Sequence, residues 1–135
     1  MFITDDTLKV TIYWKQFHNG NIKVLTSLDE VEESKRKTFI ALVVDLKPMT
    51  WKTYNELQRK CTKVMGPGMG EDLDWIKYKE EKMQAVLVGW DAKDKDTKPI
   101  PVNKENIFKL HPRIAETILN EYDKITLLGE EEKGN

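Results

Sequence analysis

Hydrophobic and polar residues alternate along 8–14, LKVTIYW, and again along 21–25. That period of two, with β-branched and aromatic side chains, predicts strands. Asn19-Gly20 between them offers the positive-φ pair of a tight turn, so residues 8–25 are expected to form a hairpin. A third apolar run, Thr38 to Leu46, has strand length and stops at Lys47-Pro48, where proline cannot donate to a ladder. The period then lengthens. Trp51, Tyr54, Leu57, Cys61 and Val64 recur at helical spacing behind Thr50, a suitable N-cap, which predicts an amphipathic helix over 51–65. Gly66-Pro67-Gly68-Met69-Gly70 breaks it and reads as a hinge.

A second helix is expected from Glu71 or Asp72 to Trp90, burying Leu73, Ile76, Met83, Val86, Leu87 and Trp90. The connector from Asp91 to Pro101 is polar and leaves through Pro99 and Pro101, which pin an extended exit. Asn103 is placed to cap a short helix over 104–110, with Glu105 in its first turn. Pro112 suits the first turn of a last helix, whose apolar stripe is Ile114, Ile118, Leu119, Tyr122 and Ile125. Met83 to Tyr122 therefore reads as a hairpin of helices. The stretch from Asp29 to Lys37 places acids before bases, the order a helix dipole favours, and is either a two-turn helix or a solvated connector. From Gly129 the chain is polar, and 129–135 is expected to be a disordered tail. The expected fold class is α+β, a single domain over 1–128. A small N-terminal antiparallel sheet, a hairpin plus one strand, packs with a C-terminal region of about four helices.

Composition narrows the function classes. The 135 residues carry 22 Lys and Arg against 23 Asp and Glu, a formal charge of -1, which gives no electrostatic case for nucleic acid. The longest apolar run, Phe39 to Val44, is too short to cross a bilayer, so no membrane partner is expected. Asp5 and Asp6 stand where a signal peptide needs a basic start, which points to a reducing cytoplasm. One cysteine, Cys61, excludes an intrachain disulfide, and its place on an apolar stripe makes it a small core residue. His18 and His111 give no metal-ligand spacing, and His111 before Pro112 reads as a cap or a packed ring.

Candidate chemistry is thin. The glycine run at 66–70 lacks the Gly-Lys-Ser/Thr ending of a phosphate loop. Asp91, Asp94 and Asp96 lack the spacing, glycine and closing acid of a calcium loop. The Lys35-Arg36-Lys37 cluster is offset by Asp29, Glu30, Glu32 and Glu33. Neither a cofactor nor a catalytic residue is nominated, so the chain reads as non-enzymatic. Trp14, Trp51, Trp75 and Trp90 are expected to serve mainly in packing.

Four pieces in order carry a family resemblance: Leu-Lys-Pro-Met-Thr at 46–50, Val-Leu-Val-Gly-Trp-Asp at 86–91, Asp-Thr-Lys-Pro-Ile-Pro-Val-Asn-Lys-Glu-Asn at 96–106, and Ile-Leu-Asn-Glu-Tyr at 118–122. From Thr38 to Tyr122 the chain resembles the tail assembly chaperones of long-tailed bacteriophages. Members often carry Asp-Gly in the connector where this chain has Asp96-Thr97, and residues 1–37 have no counterpart in the pattern. The resemblance implies a partner, the tape measure protein, and extends to the major tail tube protein and to self-association. It implies action in the host cytoplasm and absence from the mature virion. A modest core leaves Trp75, Tyr78 and Trp90 as the partner-binding residues to expect. Two other readings stay open at this point: a structural tail or head–tail protein kept in the virion, and a small host-directed inhibitor or enzyme.

Overall fold

The computed structural model describes residues 6–134, with side chains described for 6–126. The fold is α+β. Strands β1 (Leu8–Gln16) and β2 (Ile22–Leu25) form the expected hairpin, with Gly20 at φ +85° closing its turn. A four-residue helix, α1 (Glu33–Arg36), leads into β3 (Ile40–Leu46), which lies antiparallel to β1 on the side away from β2. Helix α2 (Trp51–Cys61) follows, capped by Thr50, whose hydroxyl accepts the Thr53 amide. Then come β4 (Thr62–Val64), β5 (Glu71–Leu73), α3 (Trp75–Val86), β6 (Leu87–Trp90), α4 (Lys104–Phe108) and α5 (Pro112–Gly134). The expected polar tail over 129–135 falls on residues whose side chains are not described, and Asn135 lies outside the described residues.

The structure corrects the expected helices in two places. The 51–65 helix stops at Cys61, and the glycine run is the tip of an antiparallel ribbon, β4 with β5, rather than a hinge between helices. Thr62 faces Leu73 and Val64 faces Glu71, while Gly66, Gly68 and Gly70 all take positive φ. The following helix starts at Trp75, with the Asp74 carboxylate accepting the Lys77 amide, and ends at Val86 instead of Trp90. Leu87–Trp90 is a strand. It joins β3, giving a four-stranded sheet in the order β2-β1-β3-β6 instead of a hairpin plus one strand. Met83 to Tyr122 is therefore helix, strand, loop and two helices, not a helical hairpin.

Alternation puts Val10, Ile12, Leu42, Val44 and Leu46 on one face of the sheet, where they are buried against Met83, Val86, Ile107, Ile114, Ile118, Leu119 and Tyr122. A second, smaller core joins Leu57 and Cys61 of α2 to Tyr78 of α3. Several residues expected to be buried are exposed: Trp51, Tyr54, Val64, Ile76 and Ile125. The α2 stripe is longer than the surface that α3 offers it, so only Leu57 and Cys61 of that helix are covered.

Candidate functional site

Two helix starts converge at one end of the molecule. The Thr50 and Asp74 caps fix where α2 and α3 begin, so Trp51 and Trp75 each occupy a first helical position. Side chains in a first turn have no preceding turn of their own helix to cover them. Trp51 is 81% exposed and Trp75 is 62% exposed. Between them runs a groove of about 510 Å³ that includes Met49, Tyr54, Tyr78 and Tyr122. Trp75 meets Tyr78 edge to face, with centroids 5.9 Å apart and planes at 83°. That geometry sets the positive edge of one ring against the negative face of the other.

The groove has a charged floor. The Lys82 ammonium pairs with Asp123 and lies 5.8 Å from the Tyr78 ring centre and 5.3 Å from that of Tyr122. Two ring faces and one carboxylate thus hold a mostly buried cation in place of bulk water. The Tyr122 hydroxyl accepts the Met49 amide at 2.9 Å, tying α5 to the entry of α2. Burial pushes the Tyr78 phenol up, with smaller contributions from Tyr54, Asp123, Tyr122 and Cys61. Burial also raises the Tyr122 phenol; the Met49 bond partly offsets this, and Asp123 adds to it. Both phenols are therefore neutral at physiological pH and act as packing and hydrogen-bonding groups.

Ile76, next in the chain after Trp75, is 74% exposed and lines a second groove, of about 260 Å³, with Met83, Ile107, Phe108 and Leu119. The Lys79–Glu116 pair, 3.0 Å, sits at this second groove. Trp51, Tyr54 and Trp75 thus form an exposed aromatic strip along the first groove, while Ile76 and Phe108 lie exposed along the second, which shares no lining residue with it.

Of the partner-binding residues expected from sequence, the structure brings Trp75 and Tyr78 together and puts Trp90 elsewhere. Trp90 lies on β6, packs against the main core, and donates its indole N–H to the Ile100 carbonyl at 2.6 Å. Trp51, Tyr54, Ile76 and Phe108 were not singled out. The signal for Trp51 and Tyr54 was an apolar stripe reaching the N-cap, farther than a helix of this length buries. Elsewhere, Cys61 is buried and its thiol is pushed up, chiefly by desolvation and then by Glu81, so it is not poised as a nucleophile. His111 caps α5: its Nδ1 accepts the Arg113 amide at 3.1 Å. Asp94 closes its own loop by accepting the Asp96 and Lys98 amides. Among the described residues no cluster of His, Cys, Asp and Glu is placed to hold a metal, and no helix is long and apolar enough to cross a membrane. Compared with known proteins, the sequence matches no family model, no curated protein and no solved structure.

Proposed function

We propose that this chain is a non-enzymatic chaperone of bacteriophage tail assembly, holding apolar helices of the tape measure protein until the tail is built. The observation that carries this reading is the aromatic strip of Trp51, Tyr54 and Trp75 exposed along a groove between helices, with Ile76 and Phe108 exposed along a second groove beside α3. An amphipathic partner helix offers anchors at i, i+3, i+4 and i+7, and an apolar groove between helices is the complement of that pattern. Aromatic anchors suit such a surface because they supply large contact area with few rotatable bonds. In this reading the protein works in the host cytoplasm, also contacts tail tube subunits, and leaves before the virion is complete.

One backbone feature supports the resemblance on which the partner's identity rests. Thr97 has φ +61°, the left-handed conformation that glycine adopts freely, at the place where similar connectors carry Asp-Gly. The loop folds back on itself through Asp94 and the Lys93–Pro99 bridge, with Thr97 in the position that favours glycine. The test is co-expression with a tape measure fragment. The fragment is expected to be soluble and to co-purify with the wild-type chain. Unchanged solubility and no co-purification would remove the basis of the proposal.

A further inference from the structure

The open edge of β2 carries groups that neither the fold nor the aromatic strip uses. In the β1–β2 hairpin the Phe17 amide bonds the Asn21 carbonyl, 2.8 Å, and Tyr13 faces Leu25, Lys15 faces Lys23 and Gln16 faces Ile22. Hydrogen-bonded and non-hydrogen-bonded pairs alternate along an antiparallel ladder. Phe17 with Asn21 is a bonded pair, so Lys15 with Lys23 and Tyr13 with Leu25 are bonded as well. Ile22 and Val24 therefore direct their N–H and C=O groups away from β1. β2 is the terminal strand of the sheet, and these groups have no partner among the described residues.

Both flanks of this edge are hollow. On the core side a groove of about 320 Å³ lies between Val24 and the start of α5, lined by Pro112, Arg113 and Thr117. On the outer side a groove of about 450 Å³ runs from Lys23 and Leu25 to Val31. A strand added to the edge projects alternate side chains into the two grooves, the geometry of strand-addition sites in which a helix lies beside an edge strand.

Charge selects the occupant. Arg113 has no ion partner among the described residues, while Glu116 in the same groove is held by Lys79. The core-side groove therefore has an unneutralised cation. The outer groove, by contrast, sets Asp29 and Glu30 against Lys23. A second copy is a poor occupant in the register that uses the outward groups of both residues. Two β2 edges paired through Ile22 and Val24 would put Lys23 directly against its counterpart, on a face where Lys23 already stands opposite Lys15. We propose that the β2 edge is a strand-addition site for an extended segment of a partner protein that turns an acidic side chain toward Arg113.

The test is selection of a random-peptide display library on the full chain. Enriched peptides are expected to be rich in β-branched residues and to carry Asp or Glu. On binding, the Ile22 and Val24 amide resonances shift and their exchange slows by about tenfold or more. Val24→Pro removes an outward N–H without touching the ladder, as proline is tolerated on edge strands, and is expected to weaken binding at least about tenfold. Arg113→Glu should turn the preference toward Lys- and Arg-bearing peptides, and Trp75→Ala should leave the amide shifts at this edge as they are. An empty selection, no enrichment of acids among the binders that shift the Ile22 and Val24 amides, shifts at this edge that are lost in Trp75→Ala, or a dimer lost in Val24→Pro would each overturn the proposal. The amide shifts in the wild-type chain decide the matter if Val24→Pro fails to fold.

Discussion

Thr97 is a β-branched residue held where its side chain crowds the backbone, at φ +61°. That conformation costs an L-residue about 1–2 kcal/mol, and the Thr97 hydroxyl recovers part of it by donating to the Asp96 carbonyl. Thr97→Asn, which tolerates the left-handed region, should raise stability by about 0.5–1 kcal/mol in urea unfolding, and Thr97→Gly by somewhat less because glycine loses more entropy on folding. Tyr78 sets a different single-residue test. Its folded-state pKa lies above the unfolded value near 10, with burial the main cause. The neutral phenol is thus favoured in the folded state. Its contribution is complete below about pH 10 and is lost as pH rises through the folded value. Urea midpoints measured from about pH 8 to pH 11 should fall on the alkaline limb, and Tyr78→Phe should make that limb shallower. An equal slope in the variant would assign the alkaline loss to other groups.

Elements differ in how far their causes are local. The ribbon of β4 and β5 buries almost nothing: both strands are exposed except at Leu73, and three glycines at positive φ shape its tip. Gly68→Ala should therefore fray the ribbon, by about 1 kcal/mol of local strain, and leave the global midpoint within about 0.5 kcal/mol. Hydrogen exchange separates the two, since amides of 62–73 should speed up while those of β1 and β3 stay protected. The same lack of burial hides the ribbon from sequence, because Thr-Lys-Val and Glu-Asp-Leu carry no period to read. β6 was hidden for the opposite reason. Leu87 to Trp90 continues an apolar run in phase with α3, and a short buried run suits helix or strand equally. Its partners decide it, and they are distant in sequence: the Lys47 amide bonds the Val86 carbonyl and the Asp91 amide bonds that of Val43. Gly89 lies against Asp45, where a Cβ would stand 2.8 Å from a carboxylate oxygen. The β1–β2 turn and the Thr50, Asn103 and His111 caps were legible, since each depends on residues a few positions apart. Trp75 is expected at the surface only because a modest core leaves some aromatics out. The Asp74 cap that sets it at a first helical position was not legible, since the pattern starts that helix at Glu71 or Asp72. Trp90 was not legible either, because only the long-range ladder moves it from a helix face to the sheet.

At the scale of the whole molecule, stability and the proposed binding rest on different residues. The main core lies between the sheet and α3 and α5, whereas Trp51, Trp75 and Ile76 face water beyond both cores. A residue left in water when the chain folds contributes little to folding, so its substitution by a smaller side chain should shift stability by no more than about 0.5 kcal/mol. The same residue at the centre of a partner's interface counts fully, and truncating a tryptophan anchor costs about 2 kcal/mol or more, near thirtyfold in affinity. Trp51→Ala should therefore keep the wild-type thermal midpoint. Trp75→Ala should lower stability by no more than the ~0.5–1.5 kcal/mol of its edge-to-face contact with Tyr78. Both should gain solubility and lose the ability to keep a tape measure fragment in solution. Leu57→Ala supplies the contrast. It opens the small core under the groove, so it should lower stability by about 2–4 kcal/mol and lose binding only as the groove itself collapses. Thermal denaturation and co-purification, run on the three variants side by side, separate these outcomes. If the tryptophan variants bind as well as wild type, the strip is ordinary surface and the partner's helices are held elsewhere. If they unfold early, the exposed rings are part of the core's support, and the separation of folding from binding is lost.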